Sequence, residues 1–306
     1  MDRHVVRGVQ WPGPRLALTN VATGETTTRD ILGSLRYRAV DDAGILWCTG
    51  RRDEDGRASA CPRGNRASSG VHCADCAAAD PYRFVHIVHR QNFLSKSLER
   101  VVLQPHWLYV ATFAGGETKV GTAADPRKSA RLLEQGALVG RYVARAVDGR
   151  VVRILEDATT DAAGLRQAVR ASVKVAGLAR PLDLAALAAL DAANADAASF
   201  AREVLGELSA DPSSDVADDT FAVVDERWEA PTRDDVFAGR RTSYPLDPGV
   251  GSHGLDVRWG VGSAVGAEVA VDPGTVYVAD LSRLRGRRIE FGEYETVLPA
   301  VQEALF

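Results

Sequence analysis

No apolar run in this 306-residue sequence approaches the roughly 18 residues that a bilayer-spanning helix needs, so no membrane segment is expected. The first fifteen residues lack the apolar core of a signal peptide, which points to a cytoplasmic location. Missing too are a Walker-type phosphate loop, a dinucleotide-binding glycine fingerprint and a nucleophile-elbow serine. The many glycines of residues 249–266 stand among β-type residues, not between a strand and a helix. These absences exclude the commonest nucleotide-hydrolase, dehydrogenase and α/β-hydrolase readings. An excess of positive charge is also lacking. The net charge is −4, which gives no global case for a polyanion partner. With a single Met and heavy use of Ala, Arg, Val and Asp, the composition suggests a GC-rich bacterial genome.

The charge that is present is unevenly placed. Residues 31–153 hold 19 Lys and Arg against 12 Asp and Glu, whereas the remainder holds 18 against 29. A basic segment within an acidic chain is compatible with a local nucleic-acid site. Cysteine is scarce and confined: Cys48, Cys61, Cys73 and Cys76 all fall within 29 residues, as C-x12-C-x11-C-x2-C. The stretch between them is rich in Arg, Gly, Ser and Asp and cannot build a hydrophobic core, so something must tie it together. In a cytoplasmic chain, four thiolates around a structural Zn²⁺ are the expected tie, with Cys73-x2-Cys76 as the chelating knuckle. Buried unliganded thiols and a redox pair are the alternatives. His72 precedes the knuckle and could replace one sulfur.

The other informative stretch is residues 105–156. Residues 107–113 and 118–122 read as two strands around the Gly115-Gly116 turn, a hairpin. Asp125-Pro126 then marks a helix start, with Asp as N-cap and Pro at the first helical position. Arg127 and Arg131 lie one turn apart on that helix. Glu156 follows an apolar run, 151–155. A phenol (Tyr109), a guanidinium (Arg131) and a carboxylate (Glu156) suit phosphodiester chemistry: proton transfer, charge neutralisation and retention of a hard divalent ion. Taken singly, each has a plainer reading. Tyr109 can fill a core, Arg131 can be a solvated helix residue, and Glu156 can pair with Arg153.

This layout resembles the GIY-YIG nuclease domain. Trp107-Leu108-Tyr109 stands for its first motif and Lys119-Val120-Gly121 for its second. The resemblance implies that Tyr109, Arg131 and Glu156 are catalytic, with Mg²⁺ or Mn²⁺ held at Glu156. Lys119 takes the place of the second-motif tyrosine, Trp107 that of the first glycine, and no asparagine follows the glutamate in the usual way. The order of features also resembles the prokaryotic family of domain of unknown function 2797, with which no established activity comes. The cysteine cluster, Pro105-His106…Tyr109, Lys119-Val120-Gly121 and Arg131…Gln135-Gly136-Ala137 carry that resemblance, which is expected to cover most of the chain.

The expected fold class is α+β. Residues 1–104 are expected to form an N-terminal β region with the zinc knuckle, with strands at 16–21 and a hairpin of 35–40 with 45–48. A strand at 84–88 follows, and His86 and His89 read as structural. A GIY-YIG-like hairpin–helix unit spans 105–178, with a helix at 163–177, and helices and a linker occupy 179–212. The linker centres on the acidic, turn-rich residues 209–219. A small C-terminal antiparallel β domain, 213–306, completes the chain, its Arg285-Gly286-Arg287-Arg288 run reading as a solvated basic turn, with contact to a phosphate backbone as the alternative. The function expected is a zinc protein associated with DNA or RNA and acting as a metal-dependent nuclease. An inactive nucleic-acid-binding or protein-interaction module on the same scaffold is the alternative. Oligomeric state is not readable.

Overall fold

The computed structural model describes residues 2–91, 93–211, 216, 218–237 and 240–299. Alternating side chains build its first strands, β1 (Arg3–Gln10), β2 (Arg15–Asn20), β3 (Thr26–Asp30) and β4 (Gly33–Ala39). In β4, for example, Leu35, Tyr37 and Ala39 are buried while Ser34 and Arg38 are exposed. The chain then leaves the sheet for the cysteine segment, which holds the two-residue strands β5 (Arg51–Arg52) and β6 (Ala58–Ser59) and helix α1 (Ala74–Ala79). Residues 45–48, expected to pair with 35–40, do not. Trp47 makes one isolated bridge to Arg66, and this stretch belongs to the cysteine segment.

Residues 84–88 are likewise not a strand. They lie in a 3-10 helix, Val85–Arg90, which buries Val88 against Tyr82, Leu98 and Val102. A short apolar run suits either geometry, and packing against helix α2 (Lys96–Val102) decides between them. Ser95 caps α2 by accepting the Leu98 N–H.

The expected hairpin forms as β7 (His106–Thr112) and β8 (Thr118–Ala124), with Tyr109 opposite Gly121. The next helix opens with a 3-10 turn, Asp125–Arg127, and continues as α3 (Lys128–Gln135), closed by Gly136 at φ +73. Asp125 lies inside that turn, not at its cap. Its carboxylate accepts the Trp107 indole N–H at 2.6 Å. After β9 (Val139–Ala146) comes α4 (Gly149–Ala163), whose cap Asp148 accepts the Arg150 and Val151 N–H groups. Glu156 therefore rides on a helix. The helix expected at 163–177 is interrupted, because Gly164 at φ +60 ends α4 and helix resumes only at α5 (Ala171–Leu178).

Helix α6 (Leu184–Ala210) fills most of the helical region expected at 179–212 and is capped by Asp183. Of the linker expected at 209–219, residues 212–215 and 217 lie outside the described residues. The chain continues through β10 (Phe221–Glu229), α7 (Arg233–Phe237), β11 (Arg241–Ser243), β12 (Ser252–Val261), β13 (Ala264–Val269), β14 (Asp272–Asp280) and β15 (Arg288–Phe291).

These strands do not form a separate C-terminal sheet. Nine strands join in the order β11-β14-β13-β12-β4-β15-β1-β2-β3, so that β4 lies between β12 and β15. The first and last β regions thus share one sheet and one core, in which Leu35 and Tyr37 pack with Leu255 and Ile289. The sheet is not wholly antiparallel either, since β11 runs parallel to β14. Strand β10 goes elsewhere, into a four-stranded antiparallel sheet ordered β10-β9-β7-β8. Alternation within a strand says which face is buried but not which strand will lie beside it. On the smaller sheet, α4 and α6 cover one face through Val152, Leu155, Ala198 and Leu205, while Leu132 of α3 packs with Tyr109 and Tyr142. No helix among the described residues is long and apolar enough to cross a membrane.

Candidate metal centre and a buried cationic site

The cysteine segment closes on itself. The four sulfurs, Cys48, Cys61, Cys73 and Cys76, lie within 4.8 Å of one another, and none is in a disulfide. Sulfurs in a tetrahedral shell of metal–sulfur bonds of about 2.3 Å stand roughly 3.8 Å apart. The Cys61–Cys73 pair is at 3.9 Å. Backbone N–H groups of Gly50 and Cys73 donate to the Cys48 sulfur at 3.4 and 3.2 Å, as suits a thiolate. Gly50 must be glycine: its φ is +79, and a Cβ there would stand 2.0 Å from the Ser59 carbonyl oxygen. The donor set fits a metal ion such as zinc, and four protein ligands leave no open position for water. His72 is not a fifth donor. Its Nδ1–H is given to the Gly50 carbonyl at 2.8 Å.

The second site lies where β7, β8, α3 and α4 meet. Tyr109, on β7, is fully buried, and its ring crosses the face of β8 where Gly121 leaves room. A Cβ at Gly121 would come within 2.6 Å of the phenol oxygen. Gly121→Ala should therefore cost about 1–3 kcal/mol in urea-unfolding midpoint, recovered in part by Tyr109→Phe in the same chain. A full-strength effect that Tyr109→Phe leaves unchanged would mean that the strain lies elsewhere.

Lys119 projects from β8 and is 6% exposed, with its Nζ donating to the Gln167 carbonyl at 3.1 Å and lying 5.9 Å from the Tyr109 ring centre. Glu156, on α4, is 4% exposed and is paired with Arg153 at 2.5 Å. Arg131, on α3, reaches Glu134 at 3.8 Å, and its side chain is about one-third exposed. No group among the described residues meets the Tyr109 hydroxyl in hydrogen-bonding geometry. Burial pushes its pKa up to about 12, against the pull of the nearby Arg131. Burial pushes Lys119 down to about 8, helped by Arg131 and Arg153 and opposed by Glu156. Arg131, Glu156 and Arg153 all act electrostatically on Tyr109 and Lys119, so these five residues share one neighbourhood.

The depressed lysine has a consequence for stability. Its native pKa of about 8 lies below the ordinary 10.5, so between those values the unfolded chain holds a proton that the native state has released. Stability should rise with pH from 8 toward 10. Lys174, also pushed down to about 8 by burial, acts in the same direction. Lys119→Met should remove part of the rise in urea midpoint between pH 8 and 9.5, and an unchanged rise would contradict this assignment.

The sequence missed His86. It is read there as merely structural, yet its Nδ1 lies 3.4 Å from Arg153, and burial with the charges of Arg153, Arg131 and Arg52 lowers its pKa. No spacing pattern links residue 86 to residue 153. His89 accepts the Arg90 Nε–H at its Nε2 at 2.9 Å, and Arg90 in turn donates to Asp157 at 3.1 Å. His106 turns its Nδ1 to the Gln104 carbonyl at 2.8 Å.

The surroundings of Glu156 do not fit Mg²⁺ or Mn²⁺. One carboxylate oxygen is taken by Arg153, and a divalent cation there would stand among Lys119, Arg131 and Arg153. Among the described residues the cysteines are the one cluster of three or more His, Cys, Asp or Glu able to hold a metal.

With this geometry in hand, the family model described as "Protein of unknown function (DUF2797)" matches residues 60–214, more than half of the chain. The chain belongs to this family. The matched region includes Cys61, Cys73, Cys76, Tyr109, Lys119, Arg131 and Glu156. It leaves out Cys48 and all nine strands of the larger sheet. No curated protein matches the chain, and no solved structure does.

Proposed function

We propose that this DUF2797 member is a zinc-stabilised nucleic-acid-binding protein that holds a phosphodiester at Arg131, above the buried Tyr109, Lys119 and Glu156. The observation that carries this reading is the charge of the site. Lys119, Arg131 and Arg153 stand near Glu156, and Glu134 is shared by Arg127 and Arg131, so four cations face two carboxylates in a half-dry setting. An oxyanion offsets such a surplus, and the planar guanidinium of Arg131, whose side chain is partly exposed, can bind two phosphate oxygens at once. The unit that carries these groups, a hairpin followed by helix, strand and helix (β7–β8–α3–β9–α4), supports the GIY-YIG-like reading of residues 105–156. Zinc is the ion proposed for the cysteines, on the chemistry of four thiolates in a closed shell.

Hydrolysis of the bound phosphodiester is the second reading. It is favoured by the unpartnered Tyr109 hydroxyl and by a Lys119 amine that loses its proton near pH 8. In this reading unprotonated Lys119 takes a proton from water as the water oxygen bonds to phosphorus. The phosphorus–oxygen bond to the leaving nucleoside breaks, Tyr109 gives that oxygen a proton, and Arg131 offsets charge on the remaining phosphoryl oxygens. No step is routed through a metal at Glu156.

One experiment tests both readings. End-labelled DNA and RNA oligonucleotides are incubated with wild-type protein and with Arg131→Ala, Tyr109→Phe and Lys119→Met, each with Mn²⁺ or with chelator. Binding should fall about tenfold in Arg131→Ala, the scale of one charge-assisted hydrogen-bond pair. Cleavage should be lost in Tyr109→Phe and Lys119→Met while binding remains. Binding without any product would leave the first reading alone, and absence of binding to every oligonucleotide would end both.

A further inference from the structure

Arg131 belongs to two places at once. Besides facing the buried site, it lines the wall of a hollow of about 630 Å³, which adjoins a second of about 430 Å³. The two share the segment of β1 from Arg7 to Gln10, together with Arg52, Arg127 and Arg285. Six arginines, the sixth being Arg51, line this cleft against two acids, Asp80 and Glu134. Glu134 is already engaged by Arg127 and Arg131. Among the described residues Arg7, Arg51, Arg52 and Arg285 form no ion pair with any acid.

The arginines come from four parts of the chain: β1, the cysteine segment, the entry to α3 and the turn before β15. The backbone holds several of them in place. Arg7 Nη1 donates to the Ser59 carbonyl at 3.0 Å, and Arg285 Nε donates to the Arg7 carbonyl at 3.1 Å. Burial and mutual repulsion lower the pKa of Arg7 and Arg285, each acted on by Arg52. Like charges are thus kept close together and partly dry, with Cys48 and Cys76 the opposing charges that act on Arg7. Trp11 lies in the wall of the larger hollow, half-exposed, its indole N–H fixed to the Gly262 carbonyl at 3.0 Å.

We infer that this cleft is the path of a single-stranded nucleic acid, whose phosphates run along Arg7, Arg52, Arg127 and Arg285 toward Arg131 while a base stacks on Trp11. The inference deepens the proposed function and rests on it. Hollows of this size take one or two nucleotides each, as drug-sized ligand pockets do, and are too small for a duplex. A row of guanidinium groups beside a held aromatic ring is the pairing by which proteins grip single strands: charge for the backbone, a ring face for the bases.

The test is fluorescence anisotropy with labelled 12-nucleotide single-stranded DNA and RNA, the corresponding duplexes and inorganic polyphosphate, at 50 to 300 mM salt. Arg52 and Arg127 are exposed, so Arg52→Gln/Arg127→Gln should keep the fold, checked by circular dichroism and zinc content. Each neutralised contact should reduce the slope of log affinity against log salt by about 0.7. Trp11→Leu should weaken single-strand binding about tenfold without changing that slope. Wild-type affinity and slope in the double variant would overturn the cleft while leaving a phosphodiester at Arg131 standing. Tighter binding of duplex, or of polyphosphate with no effect of Trp11→Leu, would also overturn it. Failure of the wild-type protein to bind any nucleic acid would remove the proposed function itself.

Discussion

Cys76→Ser protein should purify with no stoichiometric zinc, against one zinc per chain in the wild type. Three thiolates and a hydroxyl do not make a structural zinc shell, and in small zinc modules the ion contributes on the order of 10–16 kcal/mol of folding free energy. The cysteine segment has little else to hold it, because its buried apolar cluster consists of the cysteines themselves. Residues from Cys48 to Cys76 should then become open to trypsin, and with them Arg51 and Arg52 should lose their places in the cleft. The two sheets should survive, since the cores beneath them contain no cysteine. Far-ultraviolet circular dichroism should therefore change little while proteolysis and oligonucleotide binding change greatly. Retention of one zinc by Cys76→Ser would show that the four sulfurs do not form one closed shell.

Glu156→Ala should be the most destabilising single change in the buried site. It removes the carboxylate that faces Arg153 and leaves three cations without it in a largely dry place. Breaking a buried ion pair from one side costs roughly 3–5 kcal/mol, which in a chain of this size lowers the thermal midpoint by on the order of 10 °C. Glu156→Ala/Arg153→Met should regain much of the loss, because the stranded charge goes with its partner. Inorganic phosphate should stabilise Glu156→Ala more than wild type, since an added anion would occupy the position that the carboxylate left. A loss below about 1 kcal/mol, or no preference for phosphate, would show that Glu156 is not the counter-charge of this cluster.

The same residues show how far local pattern reaches. The hairpin that carries Tyr109 and Gly121 could be read from the sequence because two β-type runs flank one glycine turn, whereas their pairing follows from the three-residue loop 114–116 that the structure shows. The cysteines could be grouped because their segment is too polar to fold without a tie. His86 could not be found, as it meets Arg153 across 67 residues of chain through a 3-10 helix that an apolar run disguises as a strand. Arg285 was taken for a solvated turn, yet it stands in the cleft, while its neighbours are used structurally. Arg287 donates to the Ile45 carbonyl at 2.8 Å, and Arg288 stacks over the Trp47 ring.

Taken alone, the order of residues determined the elements whose causes are local: the hairpin of β7 and β8, the long helix α6 and the thiolate set. Only the tertiary structure decided that β4 inserts between β12 and β15, that β10 crosses to the smaller sheet, and that arginines from four parts of the chain line one cleft. The physical reason is the same in each case. A strand's alternation or an arginine's charge states what kind of surroundings it needs, while the choice of partner follows from closing long loops around shared cores, which no short stretch of sequence encodes.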